Sequence, residues 1–206
     1  GWVDVDLTEE GKLEAKKAGS LIKNKNIEIN YYYSSLQLRA NHTLKIMKKT
    51  LNDENNFIRA WQLNERHYGA LTGLSKVEMI KEIGKDKVFE FRRSWHIKPK
   101  PLDKKSPYHP INIETYQKMS KETIPDTESL KDTYDRVLKY FLDEIQKKLI
   151  NDNVLISAHG NSIRALCKYL FKLDDIQISK LEIPTANPLI IKLKKGIEVE
   201  DCEYLD

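Results

Sequence analysis

Apolar positions recur along this chain in blocks whose spacing alternates between helical and extended. Ala15, Ala18, Leu21 and Ile22 form one helical face, with Thr8 placed as an N-cap and Glu9 and Glu10 in the first turn. Residues 27–33 (IEINYYY) are β-branched and aromatic and predict a strand, ended by Ser34-Ser35. The stripe Leu36, Ala40, Leu44, Met47 and Leu51 predicts the next helix, and residues 57–61 a short second strand. Ser75 and Glu78 make a capping-box pattern ahead of Val77, Met79, Ile80 and Ile83, closed by Gly84. Val88, Phe89 and Phe91 mark a further helix that carries Arg92-Arg93. Leu130, Tyr134, Val137, Leu138, Phe141 and Ile145 give a long amphipathic helix. Residues 154–156 read as a buried strand, followed by a helix with Ile163, Leu166, Cys167, Leu170 and Phe171 on one face. Residues 189–193 (LIIKL) form a last strand. Strands alternating with helices predict an α/β three-layer sandwich, a mostly parallel sheet flanked by helices.

Residues 95–126 interrupt this rhythm. Five of the seven prolines fall there, with no glycine and little periodicity. Such a segment within a compact domain predicts a lid-like insertion over the site rather than a linker or a second core. At 206 residues the chain is expected to be a single domain.

Composition then narrows the function classes. The formal charge of +4, from 35 basic and 31 acidic residues, is too balanced to argue for nucleic acid. The tyrosines show no interleaving with basic residues of the kind that stacks bases. No apolar run is long enough to span a membrane, and no leader pattern opens the sequence. Cys167 and Cys202 match no zinc spacing, and no metal is expected. Arginine is rationed to seven positions among 35 basic residues: Arg39, Arg59, Arg66, Arg92, Arg93, Arg136 and Arg164. A chain that solvates itself with lysine reserves arginine for places that need a planar, permanent charge.

In an open α/β sheet, ligands sit at the carboxyl ends of strands beside helix N-termini. His159 occupies such a place, after a buried strand and before Gly160, Asn161 and a helix start. A structural histidine is the alternative. Arg39 lies in the first turn of its helix, where its charge opposes the dipole unless both face one anion. The run Asn64-Glu65-Arg66-His67-Tyr68-Gly69 is too polar for a mere connector, and Glu65 is a candidate general acid or base. Arg92-Arg93 are placed to clamp a phosphate or carboxylate. Jointly these residues predict a small phosphorylated substrate, with no nucleic-acid or membrane partner.

The same residues carry a resemblance. The opening Gly1-Trp2-Val3-Asp4-Val5-Asp6-Leu7-Thr8, then Tyr33-Ser34-Ser35 with Arg39-Ala40 and His42-Thr43, are similar to cofactor-dependent phosphoglycerate mutases. So are residues 63–71 (LNERHYGAL), Trp95 behind Arg92-Arg93, Thr127-Glu128-Ser129-Leu130 and residues 158–162 (AHGNS). The order is right from Gly1 to about Leu193, and LNERHYGAL is highly specific. Members of that family, within the histidine phosphatase clan, interconvert 3- and 2-phosphoglycerate in glycolysis and are primed by 2,3-bisphosphoglycerate. The resemblance implies that Glu65 donates and accepts the proton and that His159 stabilises the phosphoryl in flight. It implies phosphate or carboxylate contacts for Gly1, Arg39, Arg66, His67, Tyr68, Lys76, Arg92, Arg93, Gly160 and Asn161. It also implies a cytoplasmic enzyme and leaves a homo-oligomer open.

Departures from the pattern set further expectations. The family's phospho-accepting histidine stands in an Arg-His-Gly motif on a first, central strand, and none of the five histidines here has that context. The reading therefore expects that motif and strand upstream of Gly1. Thr185-Ala186-Asn187-Pro188 lacks the glycine expected in the loop before the last strand. Bisphosphoglycerate mutase, a phosphatase of the same clan and a non-catalytic phospho-ligand binder are the alternatives. Arg59 and Arg136 lie outside the motifs, so lysine in their place is expected to do little.

Overall fold

The computed structural model describes residues 1–194 and 197–206, with every side chain among them except that of Lys76. Helix α1 (Glu9–Asn24) starts where its cap requires, with Thr8 Oγ1 accepting from the Gly11 N–H at 3.1 Å. Strand β1 (Tyr31–Ser34) starts later than the predicted strand over 27–33. A ladder extends only as far as a neighbour supplies partners, and β1 pairs from Tyr31↔Val154 to Ser34↔Ser157. Helix α2 (Leu38–Leu51) begins after Gln37, so Leu36 of the predicted stripe precedes the helix. Strand β2 (Ile58–Arg59) pairs with β1 through two residues only.

Helices α3 (Lys76–Ile83) and α4 (Lys85–Arg93) meet at Gly84, whose φ of 82° suits glycine, and the Ser75–Glu78 capping box is formed. Helix α5 (Leu130–Tyr140) runs on through a π-helical turn at Phe141–Ile145. Strand β3 (Val154–Ser157) leads into α6 (Gly160–Leu170), and α7 (Asp175–Lys180) follows. Strands β4 (Leu189–Leu193) and β5 (Val199–Tyr204) form a separate antiparallel ribbon. The pattern of apolar residues did not predict β5, because its sequence VEDCEY is polar and mostly exposed.

The main sheet is parallel in the order β2-β1-β3. Alternate residues of β1 feed opposite layers. Tyr32 packs with Ala18, Ile22, Leu44, Met47 and Leu155 on the α1–α2 side. Tyr33 packs with Val137, Phe141, Ile145, Ala165 and Leu166 on the α5–α6 side. That alternation makes three layers from one short strand. The first two helices touch closely: a Cβ on Gly19 would lie 3.0 Å from the Met47 Cα.

Residues 95–126 form short 3₁₀ turns, and they are not apolar-poor where they land. Tyr116 and Ile124 join Trp2 in a third buried cluster. The Tyr116 hydroxyl donates to the Trp2 carbonyl at 2.8 Å, and the Ala70 N–H donates to the Lys100 carbonyl at 2.8 Å. Gly69 sits at φ +53°, and a Cβ there would come within 2.2 Å of the Lys100 oxygen. The segment is thus stitched to the N-terminal stretch and to residues 67–70. Among the described residues, no helix is long and apolar enough to cross a membrane.

Candidate active site

Because β1, β2 and β3 are parallel, their carboxyl ends open on one edge of the sheet. Ser35, Glu65 and His159 come from the segments that follow these three ends. His159 is the N-cap of α6 and only 8% exposed. Its Nε2 is hydrogen-bonded to Ser35 Oγ at 2.8 Å, and its N–H donates to Ser162 Oγ at 3.0 Å. The Glu65 N–H donates to Gln37 Oε1 at 2.8 Å, while Gln37 Nε2 donates to the Gly1 carbonyl at 2.9 Å. Glu65 Oε1 accepts from the backbone N–H groups of Arg66 at 2.7 Å and Asn161 at 3.3 Å. Asn161 Nδ2 donates to the Tyr68 hydroxyl at 2.9 Å, and Arg164 Nη1 donates to Asn161 Oδ1 at 2.8 Å. Gly160 faces the same carboxylate, and a Cβ there would stand 4.0 Å from Glu65 Oε2, in ordinary contact.

These groups border a cavity of about 200 Å³ lined by Glu65, Tyr68, Arg92, Arg93, Gly160, Asn161, Arg164, Glu182 and Ile183. A larger open groove beside the C-terminal end of α6, lined by Tyr134, Lys168, Phe171 and Glu198 among others, holds none of them. Three guanidinium groups, Arg92, Arg93 and Arg164, and two carboxylates, Glu65 and Glu182, face one small cavity. Burial favours the neutral acid at Glu65, but the neighbouring His159 and the N–H groups donated by Arg66 and Asn161 outweigh it and hold the carboxyl below its ordinary range. Burial, then the Arg39 charge, pushes His159 down to about 3 against the pull of Glu65. The pair is therefore an ionised carboxylate beside a neutral imidazole when no anion is bound.

The residues singled out from the sequence fall into three sets. Glu65, Tyr68, Arg92, Arg93, Gly160 and Asn161 line the cavity. His159 adjoins Gly160 of the wall but does not itself line the cavity, and Arg39 donates to the carbonyls of Gly1 at 2.9 Å and Val3 at 3.1 Å, holding the N-terminal stretch against the site. Arg66 and His67 are wholly buried and are not in the cavity wall. Arg66 donates to the carbonyls of Glu128 at 2.9 Å and Ile97 at 3.1 Å, and His67 Nδ1 accepts from the Gly69 N–H at 3.0 Å. Both build the floor behind Glu65. The side chain of Lys76 lies outside the described residues. Residues 95–126 contribute nothing to the cavity wall.

Sequence reasoning missed Arg164 and Glu182 in the wall and Gln37, Glu128 and Arg136 behind it. Arg136 is the plain correction. Expected to tolerate lysine, it is bidentate to Glu128 at 2.6 and 2.9 Å and donates to the carbonyls of Gln62, Asn64 and Glu65 at 2.7, 3.0 and 3.0 Å. Glu128 in turn accepts the His67 N–H at 2.8 Å. Nothing local to residue 136 announces partners more than seventy positions away. Arg164 carried a readable signal, one helical turn after Asn161.

The family model described as histidine phosphatase superfamily (branch 1) matches residues 1–109 and 100–199. The chain belongs to the histidine phosphatase superfamily. A relative from Pelagibacter ubique (strain HTCC1062), a 2,3-bisphosphoglycerate-dependent phosphoglycerate mutase, is 64% identical over 207 residues, covering 100% of this chain and 87% of its own. The protein of the same name from Xylella fastidiosa (strain M12) is 45% identical over 208 residues, covering 100% of this chain and 83% of its own. Among solved structures, a mycobacterial glucosyl-3-phosphoglycerate phosphatase superposes with a TM-score of 0.70 at 17% identity, covering 99% of this chain and 88% of its own. That likeness shows the histidine phosphatase fold and nothing finer.

Proposed function

We propose that this histidine phosphatase superfamily member interconverts 3-phosphoglycerate and 2-phosphoglycerate in glycolysis, by ping-pong phosphoryl transfer primed by 2,3-bisphosphoglycerate. The observation that carries the reading is Glu65 in a cavity walled by Arg92, Arg93 and Arg164, hydrogen-bonded to the first turn of the helix that His159 caps. Phosphoryl transfer is mainly positioning and charge stabilisation, and this donor set supplies both. The same set fits a bisphosphorylated acid, whose separated anions need several cations at once. When bound, 2,3-bisphosphoglycerate supplies the phosphoryl group that primes the acceptor. The acceptor proposed is the histidine of an Arg-His-Gly motif, which does not occur within the 206 residues.

Arg92, Arg93 and Arg164 hold the phosphate and carboxylate oxygens. The imidazole of His159 and the first-turn N–H groups of α6 face the phosphoryl as its charge spreads over the equatorial oxygens. Glu65 takes the proton from the substrate hydroxyl as that oxygen attacks phosphorus, and returns it to the leaving oxygen in the reverse half-reaction. A bound anion beside the Glu65 carboxylate disfavours its negative charge, so its basicity rises as substrate enters. The reading treats 1–206 as one domain working in the cytoplasm, with 95–126 covering the stretch that carries Gly1 and Trp2.

The test is an assay of the full-length protein with 3-phosphoglycerate and a trace of 2,3-bisphosphoglycerate, following 2-phosphoglycerate. Glu65→Gln should lower the rate by about 10²–10⁴-fold. Inorganic phosphate as the main product, or an undiminished rate in the variant, overturns the assignment.

A further inference from the structure

Besides Glu65, a second carboxylate stands in the wall of a site built for anions. Glu182 lines the cavity among three arginines, and its Oε1 pairs with Arg93 Nη2 at 2.6 Å. The Glu182 side chain is 75% exposed and that of Arg93 only 20%, so the carboxylate lies at the mouth and the guanidinium inside. The pair is not needed to hold Arg93 in place. Arg93 Nη1 also donates to the Leu181 carbonyl at 3.1 Å, and Arg164 donates to the same oxygen through Nε at 3.0 Å and Nη2 at 2.9 Å. One backbone oxygen thus anchors both guanidinium groups whether or not Glu182 is engaged. The carboxyl is held below its ordinary range first by the Arg93 hydrogen bond, with the Arg93 and Arg164 charges adding to it.

We propose that Glu182 is a specificity-determining residue: an internal anion that occupies Arg93 in the free site and must swing out when a phosphorylated ligand arrives. Its retained negative charge at the mouth then opposes the ligand in proportion to the ligand's own charge. Binding of a bisphosphorylated acid is weakened more than binding of a monophosphorylated one, so Glu182 sets the balance between primer and substrate. An exposed, flexible acid suits this role, because leaving Arg93 costs little. An ion pair with one partner in solvent contributes little net attraction.

The inference rests on the proposed function, and the experiment separates the two. Dissociation constants for 3-phosphoglycerate and 2,3-bisphosphoglycerate are measured by titration calorimetry on full-length wild type, Glu182→Gln and Glu182→Asp, at two ionic strengths. Glu182→Gln should bind 3-phosphoglycerate roughly two- to fivefold tighter, and 2,3-bisphosphoglycerate should gain by a larger factor. Glu182→Asp should stay near wild type, and the gain in the glutamine variant should shrink at high salt. Unchanged or weaker binding in Glu182→Gln, with wild type binding both ligands, overturns this inference and leaves the proposed function standing. If wild type binds neither ligand, the proposed function fails and this inference with it. A structural role for Glu182 would weaken binding, the opposite sign.

Discussion

His67 and His159 are both deeply buried, and burial above all pushes each pKa from 6.5 to about 3. In the unfolded chain each takes up a proton near pH 6.5; in the folded protein neither does until about pH 3. Between those values the unfolded state holds more protons, so stability is complete above pH 6.5 and is lost as pH falls toward 3. Each histidine contributes a slope of about 1.4 kcal/mol per pH unit. Thermal melts should therefore be flat above pH 7 and fall steadily from pH 6.5 to 5, before most carboxylates titrate. His67→Asn keeps an acceptor for the Gly69 N–H and should flatten that fall. A melting temperature unchanged down to pH 5 would contradict the burial of both imidazoles as neutral groups.

At the scale of elements, α5 does more than cover the sheet. Arg136 projects from it onto Gln62, Asn64 and Glu65, and the buried Glu128 side chain balances its charge. The backbone that presents Glu65 is thereby fastened to a helix with which it shares no sequence neighbourhood. Lysine offers no planar fork and cannot serve the Glu128 carboxylate and three carbonyls together. Arg136→Lys should lower the melting temperature and reduce kcat by at least tenfold, charge-assisted hydrogen bonds being worth about 1.5–3 kcal/mol. Arg59 ends the exposed strand β2, and Arg59→Lys should be silent in both measurements. Equal behaviour of the two variants would remove Arg136 from the support of the site.

Over the whole molecule, residues 95–126 link the N-terminal stretch to the floor of the site. Tyr116 reaches Trp2, the Leu102 N–H donates to the Asp126 carbonyl at 2.9 Å, and Arg66 binds the Ile97 carbonyl. A segment tied in this way should behave as part of the core despite its prolines. Hydrogen exchange followed by mass spectrometry should show the amides of Leu102 and Tyr116 protected well beyond the exposed residues 54–56. Tyr116→Phe, which loses the bond to Trp2, should cost about 1 kcal/mol. Free exchange throughout 95–126 would mean that the packing against Trp2 is not maintained in solution.

Local signals determined what depends on neighbours in the chain. Thr8 and Ser75 started their helices because a cap acts within one turn, and the three tyrosines of β1 alternated between layers because strand geometry demands it. The sequence also singled out Glu65 and the pair Arg92-Arg93, which the fold brings to one cavity, and His159, which caps the helix beside it. Tertiary structure alone decided which polar residues face the cavity and which lie behind it. Arg66 and His67 adjoin Glu65 in sequence yet turn into the floor, while Arg164 and Glu182 reach the wall from distant segments. It also decided the short reach of β1 and β2, because a ladder ends where its partner does, and the role of Arg136, whose partners are close only once the chain has folded. Hydrogen bonds between segments far apart in the chain leave no periodicity to read.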